Sequence, residues 1–307
     1  MADEKLSTGV VTDVVEFVAG DRLEFQSMPF PPLINASDMP QEHFDGALVH
    51  IHVGTKETNA VFGNAALVAP GVAIGAKHVI AKDLDDVMAG RISIFATAMA
   101  KDGRVDYWDV RHIMFDEDDL AIYSLVRRSA LPESKRLTLA SLSTRLPAEG
   151  EPVMIVGFKW EDGSFSHEDG RDVGIVKGHV HASIGVVGDR YPHGRDRSVI
   201  PWPCFEVRVG THPGMSGGPA FDVNGDLVGV LTSGFGDGDD PEGISYVSMV
   251  HPALWRPFKT AWPNGLFPES TTLLEINPLM CHITGRDRVY TVLDLNGDSK
   301  WYFDHWS

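Results

Sequence analysis

Apolar residues along this chain fall into short runs rich in Val, Ile, Leu and Ala, punctuated by Gly, Pro, Asn and Asp. The runs are ALVHIHVG (47–54), NAALVAPGVAIGA (64–76), RISIFATAM (91–99), WDVRHIMF (108–115), LAIYSLV (120–126), PVMIVGF (152–158), CFEVRVG (204–210), DLVGVLTSG (226–234) and ISYVSMV (244–250). Runs of this length between turn residues predict strands, and many of them without long helical periodicity predict an all-β barrel or sandwich. Asn224-Gly225 is a two-residue hairpin signal, because both residues tolerate positive φ, and Asn296-Gly297 is a second. Residues 1–45 read as an N-terminal arm, with a short helix around Asp13–Ala19 and the proline-rich stretch Met28-Pro29-Phe30-Pro31-Pro32. Residues 46–254 form the body. The segment 255–307 is too short for an independent domain of usual size, and is expected to pack a helix and a terminal hairpin on that body.

Composition narrows the class of function. With 307 residues, 43% hydrophobic and 22% charged, the chain is an ordinary globular sequence that needs no metal or disulfide staple to build a core. Its formal charge of −17 argues against a phosphate-binding surface for nucleic acid and against adhesion to anionic membranes. The start, MADEKLSTGVVTDVVEF, has no basic region followed by an apolar run, and no window is apolar enough to span a bilayer. The expected compartment is a reducing cytosol, in which the two cysteines, Cys204 and Cys281, are thiols packed in the core.

The most informative segment is Gly214-Met215-Ser216-Gly217-Gly218-Pro219. A serine hydroxyl needs an adjacent base to take its proton, and backbone N–H groups converging on the developing oxyanion. Flanking glycines allow a turn tight enough for the Gly214 and Ser216 amides to share one pocket. The competing reading is a glycine-rich turn that the serine merely caps. The same string fits the nucleophile elbow of α/β-hydrolases, but an elbow opens a helix, and Gly-Gly-Pro after Ser216 cannot. Upstream, His78 closes an apolar hairpin-like run and Asp119 directly precedes the strand Leu120-Ala121-Ile122-Tyr123. The order His, Asp, Ser, with separations of 41 and 97 positions, parallels the roughly 45 and roughly 93 of the chymotrypsin triad. His112, Asp116 and Asp118 are rivals; Asp118 is the serious one, because a one-residue shift sends a strand side chain to the opposite face.

Metal chemistry is weakly signalled. His179, His181 and His193 cluster without cysteines or an H-E-x-x-H pattern, and alternation predicts that His179 and His181 share one face, toward solvent. Asp222-Val-Asn224-Gly-Asp226 and Asp294-Leu-Asn296-Gly-Asp298 open like calcium loops but lack glycine at the sixth position and glutamate at the twelfth, so both read as hairpin turns. No metal and no cofactor is expected.

These motifs together resemble the trypsin/chymotrypsin-like serine peptidases, and their bacterial HtrA-type branch more than the digestive enzymes. GNAALVAPGVAIGAKHV resembles the hairpin that ends in the catalytic histidine. DDLAIYSLV resembles the strand after the catalytic acid, and CFEVRVGTHPGMSGGPAFDVNGDLVGVLTSG the nucleophile loop and substrate-binding strand. The resemblance covers 46–254 and implies two antiparallel six-stranded β-barrels with the active site between them. It further implies a serine endopeptidase with Ser216 as nucleophile, His78 as base and acid, Asp119 as the orienting carboxylate, and Gly214 and Ser216 as oxyanion donors.

Met215 stands where digestive members carry an aspartate that pairs with a cut N-terminus, so the loop is expected to be held or gated by packing. A PDZ module does not fit in the residues after 254. Gly210, Gly234 and Gly243 imply an open, neutral primary pocket. Thr211 and His212 resemble pockets that read Glu or Gln, although loop filler is the favoured reading of both. Ser233 and Gly234 correspond to the edge that pairs with extended peptide. The acidic run 237–242 reads as a cleft rim or a solvated loop. The implied partners are a protein or peptide substrate and a regulatory protein that restrains the enzyme in its own cell. The alternative is a gated or inactive barrel that serves as a partner-binding module, with the two arms as its interface.

Overall fold

The computed structural model describes residues 24–28, 38–39, 44–54, 59–129, 136–168, 171–236, 238, 240, 242–293 and 299–303. Twelve strands form two closed, six-stranded antiparallel barrels. The first comprises β1 (Leu48–Gly54), β2 (Asn59–Ala69), β3 (Val72–Ala76), β4 (Ser93–Met99), β5 (Val105–Phe115) and β6 (Leu120–Arg127), in the ring order β1-β2-β3-β6-β5-β4. The second comprises β7 (Pro152–Glu168), β8 (Arg171–Tyr191), β9 (Cys204–Arg208), β10 (Pro219–Phe221), β11 (Leu227–Phe235) and β12 (Ile244–Met249). Its order is β7-β8-β9-β12-β11-β10, and the β10–β11 pairing completes the ring. The two rings therefore follow one strand pattern, and each predicted run lies within or across a strand of it. Closure removes the exposed sheet edges that open sheets must otherwise protect.

Each barrel has its own core. The first packs Val49, Ile51, Leu67, Tyr123, Leu125 and Trp108, all buried; the second packs Val153, Ile155, Phe205, Val207, Met215 and Val247. A third cluster joins them: Ala66, Val68, Ile74 and Ile122 of the first barrel meet Met154, Val156, Phe221 and Val230 of the second. The first barrel also buries an ion pair, Arg127 with Asp106, whose guanidinium lies 5.4 Å from the Trp108 ring.

The terminal segments dock on this body. Glu24–Met28 runs parallel to Arg136–Ala140, and Asp38–Met39 adds to the edge of β8. After the four-residue helix His251–Leu254, the chain through 303 holds short strands and one 3-10 turn but no α-helix among the described residues. The helix expected there is absent because Pro257, Pro263, Pro268 and Pro278 interrupt the segment and remove the N–H groups a helix needs. Trp262 reaches back to meet Trp108 edge-on at 5.5 Å, and Leu273, Ile276 and Ile283 join the inter-barrel cluster. Strands Val289–Leu293 and Ser299–Phe303 pair antiparallel around the expected terminal hairpin. That hairpin's Asn296-Gly297 turn, the helix at 13–19 and most of the proline-rich stretch lie outside the described residues.

The Asn224-Gly225 turn forms as a hairpin loop. Gly225 has φ 78°, and the Asp222 carboxylate accepts the Asn224 and Asp226 amides while pairing with Arg145 at 2.5 Å. That carboxylate is thus engaged in turn bonds. Among the described residues no group of three His, Cys, Asp or Glu side chains is arranged for a metal ion, and no helix is long and apolar enough to cross a membrane. Cys204 and Cys281 are free and buried, and burial pushes both thiols up to about 12.

Candidate active site

Strand register places His78 beside Asp119. β3 and β6 are antiparallel with Ala76 opposite Leu120, so the residues just past β3 meet those just before β6. The Lys77 amide donates to the Asp119 carbonyl at 2.7 Å, and the His78 amide to Asp119 Oδ1 at 2.9 Å. His78 Nδ1 then lies 2.8 Å from Asp119 Oδ2. An ionised carboxylate only accepts, so Nδ1 carries the proton and Nε2 presents its lone pair. Asp119 is 4% exposed, whereas the His78 side chain is 38% exposed and open to a reactant.

Ser216 sits on the loop between β9 and β10. The loop opens with a β-turn, His212-Pro213-Gly214-Met215, closed by the Met215 amide on the His212 carbonyl at 3.2 Å. Proline at the second position and Gly214 at φ 93° make it a type II turn, which only positive φ at the third position permits. Met215 is fully buried in the second core and anchors the loop from below. Beyond the serine, Gly217 has φ 74°, and its amide bonds the Leu231 carbonyl of β11 at 2.9 Å. A Cβ at Gly217 would press on the Asn64 carbonyl and come within 3.0 Å of the Ala76 amide nitrogen. Among the described residues the Gly214 and Ser216 amides have no protein acceptor.

Ser216 borders a cavity of about 450 Å³, together with Thr211, His212, Ser233, Gly234 and Gly238. Gly210 and Gly243 are not part of its lining: their backbones pack on one another, the space for a Cβ at Gly243 being only 2.6 Å from Gly210. The Gly210 amide also bonds the Asp240 carbonyl at 2.9 Å. Thr211 Oγ1 accepts from Ser245 Oγ at 3.2 Å. His212 lies edge-on to His181 at 4.6 Å.

A family model for the trypsin-like peptidase domain matches residues 63–230, more than half of the chain. The chain belongs to this family. No curated protein sequence matches it. Among solved structures, it is similar to the crystal structure of Deg5, at 17% identity over 68% of this chain and 85% of that one, with a TM-score of 0.46. It is also similar to an inactive mutant form of Rv3671c from M. tuberculosis H37Rv, at 17% identity over 68% and 83%, with a TM-score of 0.40.

In this trypsin-like domain the rivals to Asp119 have other places. Asp118 pairs with Arg256 at 2.6 Å and caps the Leu120 amide at 3.0 Å. His112 is exposed on β5, and Asp116 is exposed just past the end of that strand. His179 and His181 do not face solvent as alternation suggested: His181 is 4% exposed and its ring meets those of both His179 and His212. Alternation fixes that two residues share a face, not which face is covered.

Two residues of the trypsin-like site escaped the sequence reading. Thr232 Oγ1 donates to Asp119 Oδ2 in a short hydrogen bond. It is the unpaired residue at a register shift in β11, between Leu231 opposite Val247 and Ser233 opposite Tyr246, and its side chain reaches the acid of the first barrel. Asn64, completely buried at the start of an apolar run, donates from Nδ2 to the Gly214 carbonyl at 2.8 Å, while its amide donates to the Ser216 carbonyl at 2.8 Å. A lone polar residue inside that run was the available signal.

Proposed function

We propose that this chain is a serine endopeptidase that cleaves protein or peptide amide bonds through an acyl-enzyme at Ser216. The observation that carries the reading is the His78–Asp119 pair, held at two points (ring to Oδ2, amide to Oδ1) with Nε2 left as acceptor. In the forward step Ser216 Oγ gives its proton to His78 Nε2 and bonds to the substrate carbonyl carbon. The carbonyl electrons move to oxygen, where the Gly214 and Ser216 amides serve as donors. Collapse breaks the C–N bond, and the leaving amine takes the proton from His78. Water then repeats the sequence on the acyl ester and frees Ser216. Asp119 keeps the imidazole in its reactive tautomer and stabilises the imidazolium without itself taking the proton.

The substrate side is read from the cavity beside Ser216. Its glycines and the Thr211, His212 and Ser233 side chains leave it without a carboxylate among the described lining residues, so a Lys or Arg side chain gains no charge partner there. Extended substrate would pair along β11 at Ser233 and Gly234, reading backbone rather than sequence.

The test is labelling with a fluorophosphonate and cleavage of denatured casein by the purified chain. Expected are a single adduct on Ser216, its loss in Ser216→Ala, and parallel loss of cleavage. An adduct that persists in Ser216→Ala overturns the assignment.

A further inference from the structure

Gly214, Gly217 and Gly218 make the nucleophile loop intrinsically soft, since glycine populates both signs of φ and lacks side-chain anchors. Packing of Met215 is apolar and non-directional, so it confines the loop without choosing the orientation of each peptide. The Met215 amide on the His212 carbonyl and the Gly217 amide on the Leu231 carbonyl hold two of these peptides from their N–H ends, and Asn64 is the side chain in place to hold the same two from their carbonyl ends. Its side chain uses all four of its hydrogen-bonding capacities. Nδ2 donates to Gly214 O at 2.8 Å and to Ser216 O at 3.4 Å. Oδ1 accepts from the Phe158 amide of β7 at 3.0 Å, and His50 Nδ1 stands 3.0 Å away as second donor. The Phe158 amide can only donate and the loop carbonyls can only accept, so the orientation of this carboxamide is determined by its neighbours.

The two carbonyls that Asn64 ties belong to Gly214 and Ser216, the same residues whose amides are without protein acceptors among the described residues. These carbonyls belong to the Gly214–Met215 and Ser216–Gly217 peptides, which flank the Met215–Ser216 peptide that carries the Ser216 N–H, and the first of them adjoins the peptide that carries the Gly214 N–H. We propose that Asn64 is a positioning residue: its carboxamide, reaching from the first barrel, holds the nucleophile loop with the Gly214 and Ser216 amides turned to the reacting carbonyl. This rests on the peptidase reading above. Asn64 touches no substrate atom, and acts only through the loop.

The test compares the native full-length chain with Asn64→Ala, Asn64→Asp and Asn64→Ser, using fluorescein-labelled casein as substrate and a fluorophosphonate to titrate reactive sites. A role confined to folding lowers the number of titratable sites and leaves turnover per site unchanged. A positioning role lowers turnover per site. For Asn64→Ala the expected fall in kcat per titrated site is roughly 10²-fold, the scale of losing one oxyanion donor, with the rate of fluorophosphonate capture falling in parallel. KM should stay within about threefold, because the loss lies in the transition state. The carboxylate of Asn64→Asp cannot donate to either carbonyl, only the backbone amide still reaching Ser216, and this variant should fall at least as far. Asn64→Ser keeps one hydroxyl donor and should lie between Ala and the native chain. If Asn64→Ala does not fold, Asn64→Ser and Asn64→Asp are judged by the same ratio. Failure of all three to fold assigns Asn64 to folding alone and overturns the proposal. A native chain that neither binds the probe nor cleaves casein removes the peptidase reading, and this inference with it. A native chain that does both, while folded Asn64→Ala matches it per site, removes only this inference.

Discussion

Thr232→Val removes one hydroxyl from the site while keeping the shape of the side chain, so its effects can be traced to one bond. Thr232 Oγ1 donates to Asp119 Oδ2, the same oxygen that accepts His78 Nδ1, and Asp119 is 4% exposed. A hydrogen bond to a charged acceptor is worth about 1.5–3 kcal/mol, and a buried carboxylate stripped of a donor recovers little of this from solvent. At ~2–4 °C per kcal/mol for a protein approaching this size, the melting temperature should drop by roughly 3–12 °C. The His78 amide and ring still hold Asp119. Turnover should therefore fall by about tenfold, far short of the roughly 10⁴-fold expected for Asp119→Asn, which favours the wrong tautomer. Differential scanning calorimetry and casein cleavage at matched folded concentration measure both effects. Thr232→Val with native melting temperature and native turnover would falsify the claim that the inter-barrel bond supports the His–Asp pair.

Other consequences follow from the same geometry. Gly217→Ala places a Cβ against the Asn64 carbonyl at a φ of 74°, so it should cost at least ~2 kcal/mol from strain alone and abolish casein cleavage; a stable, active variant refutes the geometry. Asp106→Ala removes a carboxylate that pairs with the buried Arg127 guanidinium, and urea titration should register a loss of about 3–5 kcal/mol. Burial pulls His50 down to about 4 and His52 to about 3. Unfolded imidazoles bind protons near pH 6.5 while these two do not, so stability present above pH 6.5 should be lost as pH falls toward 4, by up to about 2.7 kcal/mol per pH unit for two protons. Urea midpoints that do not move between pH 7 and 5 would contradict this.

The fold and the His–Asp pair were legible because each rests on local signals that agree. Turn residues bound each strand, Gly214 supplies the positive φ of a type II turn, and Asp119 stands against a strand whose register with β3 delivers it to His78. What was illegible depended on tertiary coverage. His179 and His181 were correctly given one face, but only the loop carrying His212 decides that this face is covered. Gly210 and Gly243 were assigned to a pocket lining by correspondence, and their mutual backbone contact could not be read from positions so far apart in sequence. Thr232 and Asn64 have ordinary local contexts, and their partners lie 113 and 150 residues away. The helix expected after residue 255 ignored the density of proline there.

The two unforeseen residues explain how the barrels are aligned. The interface between them is apolar, built from side chains such as Ile74, Ile122, Val156 and Val230. Apolar burial supplies attraction but tolerates sliding and rotation of the two bodies. Acyl transfer does not tolerate it, because a displacement of about 1 Å at the reacting centre costs on the order of 10²-fold. Asn64 crosses from the first barrel to the nucleophile loop of the second, and Thr232 crosses from the second barrel to the acid of the first. Both bonds are directional, both are partly buried, and they run in opposite senses between the barrels. Truncations in the apolar seam should therefore act mainly on stability. Loss of either crossing bond should act on turnover by an amount that its effect on stability does not account for.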